Sequence, residues 1–299
     1  MVKISRINKK KASGKGSLTK KVTPKKKAKA KAKAPRKRKS ASVFERIQPV
    51  SERDPYFKVV IYGHSATGKT TFASTAPKPM LIIKADDEGT NSVFDVEGID
   101  EVTVYTTVEL VELLKSDHLD KYASICLDNC TSLQGMVLRE ILGLEELPAQ
   151  LGWGIAQQQD WQQCTLQTKE MLRHLMGLSY NRHILIIAQE REFESQAEAE
   201  GVLPNIAPSL TPSTSYWLSS NADMTIQTFK RQKTRKERTV IKKKTIVNEV
   251  PIPGKVEYCA RTGPHSVFFT KFRIPKGREL PECITDPTFD KLLDCIKGN

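Results

Sequence analysis

The 299 residues suffice for one large domain or two small ones with a buried core, and a chain without any 18-residue apolar run excludes a membrane-spanning helix. The net charge of +14 is concentrated in one place: residues 1–42 hold 18 Lys and Arg and no Asp or Glu, leaving 30 basic against 34 acidic residues elsewhere. Six cysteines (Cys126, Cys130, Cys164, Cys259, Cys283, Cys295) are scattered, with no CxxC pair and no histidine at zinc-ligand spacing, and read as reduced thiols of an intracellular protein, since a disulfide framework suits a short secreted chain.

The N-terminal stretch lacks the apolar core of a secretory signal. Its run "KKKAKAKAKAPRKRK" (25–39) is like-charged and poor in apolar residues. Such a segment buries too little surface to offset its ordering entropy, so disorder is expected over the tail and its linker, residues 1–50. From about Pro55, apolar runs alternate with helical patterns in the manner of a parallel α/β sheet. Strands are expected at 58–62, 80–84, 102–105, 124–127 and 184–188. Helices are expected from 69 to about 75, ended by Ala76-Pro77, and over 108–115, 133–142 and 160–178. After Asp223 the texture changes to short strands, "MTIQTFKR", "TVIKKKTIV", "KVEYCAR" and "SVFFTKFR", separated by turns and expected to form hairpins. The last 13 residues predict a small amphipathic helix begun by Pro287 and ended by Gly298.

Between the first strand and the first helix stands Gly63-His64-Ser65-Ala66-Thr67-Gly68-Lys69-Thr70, followed by Thr71, a gapless G-x-x-x-x-G-K-[ST]. Glycines at 63 and 68 permit torsions and a close approach that a Cβ would block. Successive N–H groups then face a β-phosphate, Lys69 reaches the β/γ oxygens, and Thr70 offers its hydroxyl to Mg²⁺. A second metal ligand is expected at the end of a neighbouring strand, and "YASICLDN" (122–129) supplies Asp128 after an apolar run. No Glu follows it, so the acid that polarises the attacking water is sought in "MLIIKADDEGTNS", where Asp87 or Glu88 lies at a strand's C-terminal edge. Gln189, after "HILIIA", is placed near the γ-phosphate. The absence of N-K-x-D favours ATP over GTP.

The order of P-loop, acid after the second strand, metal Asp without a following Glu, and Gln after the next apolar strand resembles RecA-like ATPases. "FTKFRIPKG" (269–277) is similar to the K-x-R-x-x-x-G element of RecA-like recombinases and replicative helicases. The resemblance implies that Lys271 and Arg273 reach across a subunit interface to a neighbour's γ-phosphate, and hence a homo-oligomeric ring or filament. Within that superfamily the chain is most similar to the short RecA-like nucleotide-binding proteins of bacteriophages, which act as single-strand annealing or recombination ATPases. The similarity covers roughly residues 55–275, with the lysine tail and the acidic segment "EREFESQAEAEG" (190–201) as departures.

The expected fold is therefore α/β: a RecA-like P-loop NTPase with a mostly parallel central sheet, C-terminal β-hairpins and a disordered basic tail. Its divisions are a tail and linker (1–50), an ATPase core (51–275) and a C-terminal extension with a short helix (276–299). The expected ligands are ATP and Mg²⁺. Single-stranded DNA is the expected partner, bound through residues 1–42 and through "KRQKTRKERTVIKKK" (230–244), which has nine basic residues against Glu237 alone. Sparse aromatics in both regions argue for backbone capture rather than base stacking. The tail also reads as a targeting or solubility sequence, with "PRKRK" passing as a nuclear signal. Cytoplasmic localisation is expected, or nuclear for a eukaryotic source. A DNA-translocating helicase or loader, a P-loop small-molecule kinase and a non-hydrolysing ATP-gated DNA-binding protein remain as alternatives.

Overall fold

Two opposed apolar layers and the sheet between them set the architecture. In the computed structural model, the described residues are 47, 49, 55–85, 90–144, 156–193, 206–241 and 244–297. The tail over 1–42, Asp87 and Glu88 after the second strand, and residues 194–201 of the acidic segment lie outside them.

The strands β1 (Lys58–Gly63), β2 (Met80–Lys84), β3 (Ile99–Thr103), β4 (Ser124–Asp128) and β5 (His183–Ala188) run parallel, in the order β1-β5-β4-β2-β3. On the other side of β1 lies β8 (Met224–Ile241), also parallel, with Val59 opposite Met224 and Gly63 opposite Thr228. The strands β9 (Lys244–Arg261) and β11 (Cys283–Thr285) extend that edge in antiparallel register, and β10 (Lys271–Phe272) pairs with the start of β8. A separate antiparallel pair joins β6 (Glu190–Glu192) to β7 (Ile206–Pro208).

Central strands buried on both faces read as unbroken apolar runs, which explains why "KVVIYG", "MLIIK" and "HILIIA" are legible. Alternate residues serve opposite layers. Val60, Tyr62, Ile83, Ile125, Leu127 and Ile186 pack with residues of α2 (Thr107–Lys115), α3 (Cys130–Ile141), α4 (Gln158–Gly177) and α5 (Pro212–Asn221). Val59, Ile61, Ile82, Cys126, Leu185 and Ile187 pack against Phe72 of α1 (Lys69–Ala73) and Phe289 and Leu292 of α6 (Phe289–Lys297). The C-terminal segment thus adds an edge strand and completes one of the two layers.

Helix starts follow their caps. The Asn129 Oδ1 accepts the Ser132 N–H at 2.8 Å, which starts α3 three residues before its apolar pattern. A reciprocal Gln157–Asp160 capping box starts α4. The strand expected at 102–105 lies earlier, because β3 pairs residue by residue with β2; Asp100 and Glu101 are exposed at this sheet edge and gave no apolar signal. The helix α5, "PSTSYWLSSN", has no apolar periodicity to announce it: Pro212 opens it, and mostly small polar side chains (Thr214, Ser215, Ser219) are buried beside Leu218.

The largest difference lies after Asp223. "MTIQTFKR" and "KVEYCAR" are the inner ends of two 18-residue strands, and "TVIKKKTIV" straddles the reversal between them instead of forming a strand of its own. Of "SVFFTKFR", only Lys271–Phe272 joins the main sheet.

Candidate nucleotide site and basic arm

Ligands of parallel α/β sheets bind beyond the carboxyl ends of the strands. Register brings the candidate residues to that edge: Tyr62 lies opposite Ala188, Lys84 opposite Asp128, and Gly63 opposite Thr228. The loop after β1 curls through left-handed torsions at Ala66 (φ 59°) and Gly68 (φ 84°). Curvature of this kind turns successive N–H groups to one side and makes an anion-binding concavity. A Cβ on Gly63 would overlap the Thr228 carbonyl oxygen, so the close passage of β1 and β8 requires glycine there.

The side chains fasten this loop to its neighbours. The Lys69 ammonium is buried, donating to the carbonyl oxygens of Gly63 (2.9 Å) and His64 (2.7 Å) and to Oε1 of Gln189 (3.3 Å). The Thr70 hydroxyl donates to Asp128 Oδ2 at 2.7 Å. Thr67 donates to the His64 carbonyl and lies 2.8 Å from the Thr228 hydroxyl. The Gln189 N–H donates to Thr131 Oγ1 at 3.1 Å, which ties the end of β5 to α3. Lys69 and Gln189 thus form one hydrogen-bonded pair and Thr70 and Asp128 another, side by side at the same sheet edge. Ser65, Ala66 and Thr71 are exposed around it.

A hydroxyl and a carboxylate in contact are hard oxygen donors of the kind Mg²⁺ takes, and Mg²⁺ needs only one or two protein ligands besides phosphate and water. The donor set fits the metal. Among the described residues no cluster of three His, Cys, Asp or Glu offers another metal site. The thiols beside Asp128 are not alternatives: burial first, and then the Asp128 charge, pushes Cys130 up to about 12 and raises Cys126 well above its ordinary value.

Three residues at this edge escaped sequence reasoning. Glu190, with its side chain only 6% exposed, holds His64 Nε2 at 2.8 Å and accepts from Gln227 Nε2 at 3.1 Å. Directly below, burial and then the Glu190 charge raise the Tyr62 phenol well above its usual range. Tyr258 of β9 lies against Gly68, and Lys230 is its cross-strand partner. An acid inside an acidic stretch and a tyrosine inside "KVEYCAR" carried no motif; the pairing of β9 with β8 brings Tyr258 to the loop.

Lys271 and Arg273 stand elsewhere. Lys271 lies opposite Thr225, at the end of β8 away from the loop. Its ammonium donates to the carbonyl oxygens of Ser219 (3.1 Å), Ser220 (2.6 Å) and Ala222 (3.0 Å), the open C-terminus of α5. Arg273 donates to the Ser220 carbonyl at 3.0 Å and pairs with Asp223 at 3.3 Å. Burial, and then the Arg273 charge, lowers the Lys271 pKa. Within the chain, both cations fasten a helix end.

Of the basic stretch 230–244, residues 230–241 form the outer part of β8 and Lys244 opens β9. Only residues 224–228 of β8 pair with β1; farther out the two strands pair with each other, through an irregularity between Gln232 and Thr234. Both faces of residues 230–235 are exposed, including Lys230, Arg231, Lys233 and Arg235. From Lys230 to Ile241 such a ribbon reaches about 35–40 Å at the usual rise per residue. The acid among these cations, Glu237, is paired with Arg235 at 2.5 Å.

A mostly parallel sheet with a G-x-x-x-x-G-K-[ST] loop after β1, an acid ending β4 and, on the strand between them, β5 followed by Gln189 is the arrangement of an α/β P-loop protein. The family follows from residues 56–274, which match the AAA_24 model, described as an AAA domain; the chain belongs to that family. Comparison with curated proteins gives no match. Among solved structures, the flagellar accessory protein FlaH of Methanocaldococcus jannaschii is similar at 10% identity over 77% of this chain and 84% of that one, with a TM-score of 0.35. A KaiC-like protein of Pyrococcus horikoshii OT3 shares 15% identity over 68% and 85%, TM-score 0.35. The RadB recombinase shares 12% over 69% and 87%, TM-score 0.33. No helix among the described residues is long and apolar enough to cross a membrane.

Proposed function

We propose that the protein is a Mg²⁺-dependent ATPase that binds single-stranded DNA and works in phage-type recombination, annealing or repair. The observation that carries the nucleotide half is the side-by-side placement of buried Lys69, the Thr70–Asp128 contact at 2.7 Å, and Gln189 on the Lys69 ammonium. The exposed cations Lys230, Arg231, Lys233 and Arg235 at the base of the β8–β9 hairpin carry the nucleic-acid half.

Thr70 and Asp128 would hold Mg²⁺, which when bound neutralises charge on the β- and γ-phosphate oxygens. Lys69 leaves its loop carbonyls for phosphate oxygens and stabilises the charge that develops there. Asp87 or Glu88, which follow β2, holds the attacking water for in-line displacement. Gln189 bonds Lys69 through its side chain and Thr131 of α3 through its backbone, so a phosphate that draws Lys69 away frees the Gln189 side chain while its backbone stays tied to α3. Lys271 and Arg273 act on a neighbour's phosphate only by giving up the end of α5. Oligomerisation into a ring or filament is part of this reading.

Nucleic-acid affinity should be dominated by phosphate neutralisation and so fall with salt, with a log–log slope of roughly −0.7 per phosphate contact on a single strand. Anisotropy of a labelled single-stranded oligonucleotide across a salt series tests this. The full chain is compared with a chain lacking residues 1–42 and one in which Asn-Gly replaces 233–255 as a short turn. Each deletion is expected to flatten the slope, and ATP with Mg²⁺ to tighten binding in the full chain but not in Lys69→Ala. An affinity indifferent to salt, or unchanged by both deletions, contradicts the DNA half.

A further inference from the structure

Tyr258 is 44% exposed although it lies in a strand whose next residues inward, Cys259 and Ala260, are completely buried. The ring is flush with the phosphate loop: a Cβ placed on Gly68 would meet its Cδ1 at 3.3 Å and its Cε1 at 3.8 Å. Lys230, directly across on β8, shares its face of the ribbon and is exposed. Two residues inward on that face, the Thr228 hydroxyl lies 2.8 Å from Thr67 of the loop. The root of the hairpin therefore runs alongside the loop, and one aromatic face and one cation continue past it.

The backbone that carries the ring is also held in place. The Tyr258 carbonyl accepts the Asp286 N–H at 2.8 Å, and Phe289 N–H donates to Thr75 Oγ1 at 2.8 Å, beside the end of α1. The C-terminal segment thus clamps β9 and α1 together, so the distance between ring and loop is set by packed elements. A half-exposed aromatic on a fixed backbone, with two rotatable side-chain bonds, offers contact area at little entropic cost.

We propose that Tyr258 is the stacking platform for the base of the bound nucleotide, with Lys230 beside it toward the ribose and phosphates. The inference rests on the P-loop reading: Lys69, Thr70 and Asp128 take the β/γ end of the triphosphate, and the base leaves the loop on the flank where Tyr258 lies. Stacking uses the π-face that all bases share, so the subsite prefers purines for their area and discriminates poorly between adenine and guanine. It also places part of the nucleotide site on the arm itself.

Calorimetric titration of the full chain with Mg·ADP, Mg·GDP and Mg·tripolyphosphate tests this. Tyr258→Leu keeps bulk on Gly68 without a π-face, and Tyr258→Phe keeps the ring. The Leu variant is expected to bind both nucleotides about ten- to a hundredfold more weakly, and tripolyphosphate unchanged, while Phe behaves as wild type. Unaltered nucleotide affinity in the Leu variant overturns the proposal. So does an equal loss for tripolyphosphate, since the ring would then merely prop the loop. A Leu variant that loses affinity for single-stranded DNA but not for nucleotide assigns the ring to the nucleic acid and overturns it too. If wild type binds none of the three ligands, the P-loop reading fails with it; if it binds tripolyphosphate as tightly as ADP, only the base subsite fails.

Discussion

His183 opens β5 and is almost enclosed, with Tyr56, Phe57 and Phe289 around its ring. Its Nδ1 accepts the Phe57 N–H at 3.2 Å, which requires an unprotonated nitrogen there. Burial pulls its pKa down from 6.5 to about 4. The unfolded chain therefore binds the proton more readily, and the stabilising effect of the neutral ring is complete above pH 6.5 and lost as pH falls toward 4. Urea unfolding is expected to show about 2 kcal/mol less stability at pH 5 than at pH 7.5 from this group, and His183→Asn should flatten that difference. An equal pH dependence in the variant would remove His183 from the explanation. Lys69 poses a different problem at the same scale. Its buried ammonium is tolerable because loop carbonyls and Gln189 satisfy it, and the same weak neutral partners let an anionic phosphate compete for it.

At the scale of elements, α5 shows how a helix with little intrinsic signal is kept. It begins at Pro212 and ends with carbonyl oxygens that would face out unsatisfied, and Lys271 and Arg273 from β10 and its flank supply the donors. Hydrogen bonds from a charged, partly buried donor are worth about 1.5–3 kcal/mol, so Lys271→Met should cost about 2 kcal/mol in unfolding free energy. Turnover measured well below the variant's melting temperature separates this from action on a neighbour. Retained turnover leaves Lys271 as a helix cap, whereas a collapse in fully folded protein adds the intersubunit role. The β8–β9 hairpin is the opposite case. Its sequence announced short strands, because the charged run 232–238 and the "PIPG" stretch look like breaks; long-range pairing carries the ribbon through both, and the chain reverses instead between Ile241 and Lys244.

Across the whole molecule, legibility follows the kind of signal each part uses. β1, β2, β4 and β5 stand out because strands buried on both faces must be continuously apolar, and the phosphate loop because its chemistry fixes residue types at fixed spacing. The edge strands β3 and β11, the polar helix α5 and the Glu190–His64 contact depend on partners remote in sequence. The same sheet gathers Lys69, Thr70, Asp128 and Gln189 at one edge and sends the basic hairpin outward from it. Nucleotide and nucleic acid would thus be bound at the root and along the length of one element. The most direct test of that account is the rate of phosphate release from Mg·ATP by the full chain, with and without single-stranded DNA. We predict turnover that rises on adding DNA and is abolished in Lys69→Ala. Hydrolysis that ignores DNA, or that survives in Lys69→Ala, would contradict it.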